Sequence, residues 1–323
     1  MDFGNIFLLA LGEFATPTTA AYALAALGLA VHFGYSGLLN FGQAGFMAVG
    51  AYGFAISTLS FKAPFVVALI VALLCAVVFA LLLGIPTLRL RADYLAIVTI
   101  AAAEIIRYIV TTNTLFKVTG SADGLSSFQR EFDSFNPFPP GTYIFGWSER
   151  DLYVRIVSWL VVVLCAVTIW LLMRSPWGRV LKGIREDENA VRSLGKNVYA
   201  YKMQALVIGG LLGALAGLVF TLPRGSVQPA NYSTDLTFFL WTVLLLGGMS
   251  TVLGPIVGAM IFWVVLSLTQ SMLAGLIESG AVTFISTVQA GQLRFILVGI
   301  ALMLLMIYRP QGVFGNKKEL AFA

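Results

Sequence analysis

No Asp, Glu, Lys or Arg occurs between Phe14 and Phe61, nor within Ala63 to Leu88, Ile156 to Met173, Met203 to Pro223 or Leu236 to Ile277. About 20 apolar residues carry a helix across the hydrocarbon core of a bilayer, so each run spans it or comes close. Only 11% of the 323 residues are charged and 59% are hydrophobic, whereas a soluble globular protein carries roughly a quarter charged residues. The expectation is an all-α polytopic membrane protein of about 8 to 10 transmembrane helices with broken or re-entrant segments and an internal duplication. A single domain over residues 1–323 accommodates it. The first 30 residues lack the basic region, short apolar core and small-residue cleavage site of a removable signal peptide, so the amino end is expected to stay attached.

Cys75 and Cys165 lie inside apolar runs, where they act as small hydrophobes, and with one histidine in the chain no conventional metal site can assemble. The net charge of +5 is concentrated in loops and tails beside the apolar runs, which speaks for membrane topology and not for nucleic acid. Spans are expected near residues 16 to 33, 43 to 60, 64 to 84, 93 to 112, 152 to 173, 203 to 222, 236 to 248, 256 to 274 and 292 to 308, with a further partial helix over residues 3 to 11. The loop 174–202 carries seven basic residues against Glu186, Asp187 and Glu188, which marks it as cytoplasmic. Alternation then places Arg89 and Arg91 inside, the acidic segment 113–151 outside as a periplasmic loop, and the tail 309–323, with Arg309, Lys317 and Lys318, inside. The external segment mixes Gly, Ser, Pro and aromatics, including Phe135, Phe138, Tyr143, Phe145 and Trp147. It reads as an interfacial loop with short helices, serving either as a docking surface or as a solvated connector.

Two breaks interrupt the apolar mass and resemble each other: residues 34 to 42 (GYSGLLNFG) and 247 to 255 (GGMSTVLGP). Irregular backbone at membrane depth is tolerated only where protein or a water-filled cavity surrounds it, so paired breaks point to a duplicated fold with its pathway nearby. Six spans between them make the repeat parallel. Gly209, Gly213 and Gly217 recur every four residues, as do Gly254 and Gly258, which stacks bare backbone on one helix face for close packing, either within the chain or against another subunit.

Within the basic loop, Ser175-Pro176-Trp177-Gly178 opens a stretch of charged helix formers that Gly195 is placed to stop. A short amphipathic helix follows, with Ile184, Ala190 and Leu194 on an apolar side and Arg185, Glu186, Asp187 and Arg192 offering ionic contacts. Here the sequence resembles the permease subunits of branched-chain amino acid (LIV-type) ATP-binding-cassette importers, the M-type subunit in particular. The resemblance rests on GYSGLLNFGQAGFMAVGAY (34 to 52), LRADYLAIVTIAAAEIIRYI (90 to 109), WGRVLKGIREDENAVRSLG (177 to 195) with YKMQALVIGGLLGALAGLVF (201 to 220), GGMSTVLGPIVGA (247 to 259) and the tail YRPQGVFG (308 to 315). These stretches extend over nearly the whole chain in the family's order.

The resemblance implies that residues 177 to 195 form the helix that couples to an ATPase subunit, through Gly178, Arg179, Ile184, Arg185, Glu186, Asp187, Glu188, Ala190 and Gly195. Against the broader importer motif of EAA, three residues and Gly, the chain has Glu188-Asn189-Ala190 with Gly195 one place late. The external stretch 118 to 125 (VTGSADGL) resembles the family's loop, though a second Gly is commoner where Ser121 stands. Implied partners are a second homologous permease subunit in a heterodimer, two cytoplasmic ATPase subunits, a periplasmic substrate-binding protein and the lipid bilayer of a bacterial inner membrane. The chain carries no GxxxxGK[ST] phosphate cradle. No cofactor is expected on this chain, with ATP and Mg held by the partners. No catalytic residue is assigned; a membrane-embedded hydrolase would need a Ser/His/Asp set that the sequence does not offer.

For the substrate path, Asn40 and Gln43 at the first break and Ser250 and Thr251 at the second are the candidates, with satisfaction of broken-helix backbone as their other role. Glu104 and Arg107, three apart on one helix face and ~16 Å along the axis from Asp93, form a pair near the midplane. Intramembrane charges are costly and functional by default. The rival function, an ion-gradient-driven secondary transporter or channel, would use this pair as its switch; a structural ion pair is the other reading. His32 reads as an ordinary hydrogen-bonded histidine beside the first break.

Overall fold

The computed structural model describes residues 12–89, 92–143, 146–278, 289, 293, 296, 299–300, 303–304, 307–308 and 311–315. The expected partial helix over residues 3 to 11, most of the span at 292 to 308 and the tail beyond residue 315 lie outside the described residues. The first helix, α1 (Pro17–Leu29), opens on Pro17 with the Thr16 hydroxyl accepting from the Thr19 N–H at 3.2 Å, the proline-at-N1 start that sacrifices no intrahelical bond. It widens into a π-helical segment, Ala30–Tyr35, at the first break. Beyond it come α2 (Gln43–Leu59), α3 (Phe65–Thr87) and α4 (Ala92–Thr111).

Ser148 caps α5 (Glu149–Arg174), which runs into the basic loop; there lie α6 (Pro176–Glu186) and α7 (Glu188–Ser193). Asn197 caps α8 (Val198–Thr221), and α9 (Thr234–Gly247) and α10 (Leu253–Glu278) follow. Among the described residues five helices are long and apolar enough to cross a membrane: α3, the Tyr94–Thr111 part of α4, α5, α8, and α10 as far as Ile277. The chain is a multi-pass membrane protein.

Helix α1 is the axis of the bundle. Every residue from Thr19 to Leu29 is buried, and α8, α10, α5 and α9 all pack on it. Its run of alanines and glycine makes that possible, because small side chains let neighbouring backbones approach. Helix α8 answers with glycines: a Cβ at Gly209 would collide with the His32 ring, one at Gly213 would fall 2.8 Å from Gln43 Nε2, and one at Gly217 would meet the Met47 carbonyl oxygen. The four-residue glycine spacing therefore serves packing within the chain. Helix α3 lies at the rim and shows the opposite pattern. Val66, Ile70, Leu74, Val78 and Leu82 are all exposed, while Ala68, Ala72, Ala76 and Ala80 pack inward. Such an exposed apolar stripe is a lipid-facing surface in a chain that crosses a bilayer.

On the face away from the basic loop, hereafter the far face, residues 113–143 form short helical turns and a strand, β1 (Leu125–Ser126), that pairs antiparallel with β2 (Ser226–Val227). Arg150 ties the segment down through Asp133 at 3.1 Å and the Pro223 carbonyl at 3.0 Å. Short helices were expected there; the two-residue sheet was not legible.

Candidate functional site

Three pieces of chain separated in sequence meet on the basic-loop face: the loop, the first break and the second break. The expected single amphipathic helix is two helices meeting at Asp187. That residue has an extended backbone, and its carboxylate accepts from the N–H groups of Asn189 at 2.8 Å and Ala190 at 3.0 Å, so it caps α7 and ends α6 together. Gly195, with φ of +75°, closes α7 as expected. Gly178 is required by contact: a Cβ there would lie 2.5 Å from the Met173 Cα, where α6 folds back on α5.

Leu181 and Ile184 are buried beneath α6. Arg185 reaches inward, and its Nη1 donates to the Gly34 carbonyl in the π-helical segment that follows α1. Its backbone also lies over Gly37, which takes φ of +72°. Glu188 binds Arg192 at 2.7 Å and also Lys202 at the start of α8. Arg179, Glu186, Asp187, Ala190 and Leu194 are exposed, Leu194 at 79%. Among the described residues Ala190 and Leu194 therefore stay exposed, whereas Ile184 is buried against the chain.

The first break is a closed polar network. His32 Nε2 donates to the Leu206 carbonyl at 3.1 Å; its other ring nitrogen accepts from Asn40 Nδ2 at 3.0 Å. A carbonyl can only accept, so the neutral Nε2–H tautomer satisfies both contacts. Asn40 also donates to Gln43 Oε1 at 3.2 Å and accepts from the Gly42 N–H at 2.8 Å, and Gln43 Nε2 reaches the carbonyls of Ala25 and Gly209 at 3.3 and 3.2 Å. Trp241 Nε1 donates to the Asn40 carbonyl at 3.1 Å. All three polar side chains are fully buried. In the widened turn Ala30–Tyr35 the Ser36 hydroxyl lies 3.2 Å from the Val31 carbonyl and 2.6 Å from that of His32, while the three side chains take up the carbonyls of Leu206, Ala25 and Gly209 and the Gly42 N–H around the break.

At the second break Gly248 has φ of +117°, and Thr251 accepts from the Gly254 N–H at 3.0 Å to start α10. Ser250 and Thr251 are half-buried. The segment 312–315 pairs with this break through Val313 N–H to the Leu246 carbonyl and Phe314 N–H to the Gly247 carbonyl, both at 2.9 Å. The two breaks touch: a Cβ at Gly34 would strike the carbonyl oxygen of Met249. Sequence similarity between the breaks hinted at their pairing; nothing in the sequence pointed to the Gly34–Met249 contact or to Arg185 bridging to it.

Glu104 and Arg107 form the expected pair at 2.7 Å, each 24% exposed. The other Glu104 oxygen accepts from the Thr234 N–H at 3.2 Å and its hydroxyl at 2.6 Å, so the carboxylate caps the start of α9. On this geometry the pair anchors one helix end to another helix.

A buried helical axis, an apolar rim and two broken helices meeting under a charged loop define a polytopic transport permease. The branched-chain amino acid transport system / permease component family matches residues 14–307, and the chain belongs to it. The high-affinity branched-chain amino acid transport system permease protein LivM of Escherichia coli K12 is 34% identical over 310 residues, covering 91% of this chain and 68% of the relative. The probable branched-chain amino acid transport permease protein LivM of Methanocaldococcus jannaschii is 27% identical over 334 residues, 92% of this chain and 91% of the relative. A shorter likeness, 32% over 115 residues, covering 34% of this chain and 36% of the relative, joins it to the ribose import permease protein RbsC of Haemophilus influenzae. The chain is a permease subunit of an importer of the ATP-binding-cassette type, a membrane component and not a catalyst.

Proposed function

We propose that this chain passes branched-chain amino acids, or closely related small solutes, across a bacterial inner membrane by alternating access, with ATP and Mg bound and ATP hydrolysed on two separate cytoplasmic subunits. The two LivM relatives, both named as branched-chain amino acid transport permeases, support the solute class. A second homologous permease subunit in a heterodimer and a periplasmic binding protein complete the assembly. The loop 174–202 and the tail 309–323 lie in the cytoplasm and the far face, with the loop 113–151, in the periplasm, a reading supported by the seven basic residues of the loop 174–202.

Force enters through α6 and α7. Arg179, Glu186, Asp187, Ala190 and Leu194, all exposed, form the surface that docks on the ATPase. Gly178, Ile184 and Arg185 face the membrane helices, while Glu188 and Gly195 hold the loop's shape. The observation that carries this reading is the bond from Arg185 to the Gly34 carbonyl, beside the contact of Gly34 with Met249. A displacement of the loop is thereby felt at both breaks together, and the solute path runs past them, with the half-buried Ser250 and Thr251 on its wall and Asn40 and Gln43 holding the first break in shape behind it.

The test is uptake by the full assembly in proteoliposomes loaded with ATP. Arg185→Ala is expected to lower solute moved per ATP about tenfold, the worth of one hydrogen bond to a charged group. Equal coupling in the variant would overturn the role given to Arg185. Uptake that persists without any ATPase subunit and collapses with the ion gradient would instead favour the gradient-driven transporter built on Glu104 and Arg107.

A further inference from the structure

Four buried side-chain polar atoms lack a hydrogen-bond partner among the described residues: the hydroxyls of Tyr52 and Tyr232, Trp263 Nε1 and Gln129 Oε1. They are not scattered. Phe220 packs on Tyr232 with ring centroids 6.3 Å apart and on Tyr22 at 6.4 Å, and Tyr22 meets Trp263 edge-on at 5.1 Å. Helix α2, which carries Tyr52, packs against the turn Pro229–Tyr232. Gly225 presses on Gln129, where a Cβ would fall 2.6 Å from Oε1.

Beside them stands a cation. The Arg224 guanidinium lies 3.7 Å over the Phe220 ring, held by neutral acceptors: the Phe220 carbonyl at 2.8 Å and the Thr18 hydroxyl at 3.3 Å. No Asp or Glu pairs with it among the described residues, whereas Arg107 and Arg150 each hold a carboxylate. Arg224 is exposed at the far-face rim, three residues past the end of α8, and can be reached from solution.

Depth follows from the helices. Glu104, which caps the start of α9, and Tyr52 each sit seven residues from the far ends of their helices, Thr111 and Leu59. At 1.5 Å per residue, Tyr52 and the turn leading into α9 lie about 10 Å inside the bundle. The segment from Leu222 to Ser233 therefore dips from the rim toward the middle, and irregular backbone at such depth lines a path or is sheathed in protein.

We propose that Arg224, Tyr232 and Tyr52 form a binding site for the α-carboxylate of an amino acid entering from the far face, with Trp263 as a further donor and Gln129 Oε1 as acceptor for the ammonium. A fixed cation, phenol and indole donors, one amide acceptor and walls of Phe220 and Tyr22 match the ends and the apolar side chain of such a zwitterion. The inference deepens the solute reading above and rests on it.

The experiment measures ATP-driven uptake of radiolabelled L-leucine by the complete assembly in proteoliposomes. Arg224→Gln is expected to lower uptake about tenfold, with Arg224→Lys restoring most of it. Tyr232→Phe should move it in the same direction, while Lys62→Gln, another far-face cation, should leave it unchanged. Wild-type uptake in Arg224→Gln overturns the site, as does an equal loss in Lys62→Gln. A defect that disappears in vesicles of purely neutral lipid also overturns it and assigns Arg224 to an anionic headgroup. Failure of the wild-type assembly to take up leucine would sink the solute reading. The site is then judged on the solubilised chain by phenylglyoxal labelling of Arg224, read by mass spectrometry: protection by L-leucine but not by leucinamide supports a carboxylate site, and equal labelling in both refutes it.

Discussion

The two ends of this bundle treat buried polarity in opposite ways. At the basic-loop end, His32, Asn40 and Gln43 are fully buried, and their polar atoms bond to one another or to backbone. Toward the far face, Tyr52 and Tyr232 are buried almost as deeply, but their hydroxyls have no hydrogen-bond partner among the described residues. A buried polar group is costly when left unpaired. The first cluster holds a broken helix together, and the second has donors left over for something that passes.

That contrast is most easily broken at Gly34. Gly34→Val places side-chain atoms on the Met249 carbonyl oxygen, between the two breaks. Loss of most monodisperse protein in size-exclusion chromatography is expected; a normal profile would mean the breaks do not pack as described. Asn40→Leu is next. It strands the Gly42 N–H, the His32 ring nitrogen and Gln43 Oε1, at about 1–3 kcal/mol for each orphaned group. A clear fall in the thermal unfolding midpoint in detergent checks it.

Glu104→Gln keeps an acceptor for Thr234 and loses only the ionic half of a pair that is 24% exposed. The expected destabilisation is about 1 kcal/mol or less, and uptake should not change its dependence on an imposed pH gradient. Smallest of all is Tyr232→Phe. Removing a hydroxyl that has no partner among the described residues should leave the unfolding midpoint unchanged or slightly raised, even as leucine uptake falls. A marked loss of stability would place Tyr232 with the structural cluster and erase the distinction between the two ends.

Much of the frame was legible from residue order. The expected spans marked eight of the helices within a few residues at most ends, seven of them through charge-free runs, because hydrocarbon leaves a spanning segment few alternatives. Gly195 stopped the loop helix where a left-handed residue was needed. The pairing of Glu104 with Arg107 followed from their three-residue spacing. Asp187 was misjudged because a charged residue among helix formers reads as part of the helix, and only its bonds to Asn189 and Ala190 reveal a cap. Tyr232 and Arg224 carried no signal, since an aromatic and an arginine near a span end are ordinary membrane-interface residues.

Sequence alone determined that this chain lives in a bilayer, where it is broken, and which loop is charged, since each of these depends on local composition and on the solvent around the segment. Tertiary structure decided what the polar residues are for. Whether Asn40 is satisfied and Tyr232 is not depends on which distant carbonyl or ring nitrogen lies within about 3 Å, and residues far apart in the chain, such as Gly34, Arg185 and Met249, come together only when the helices have packed.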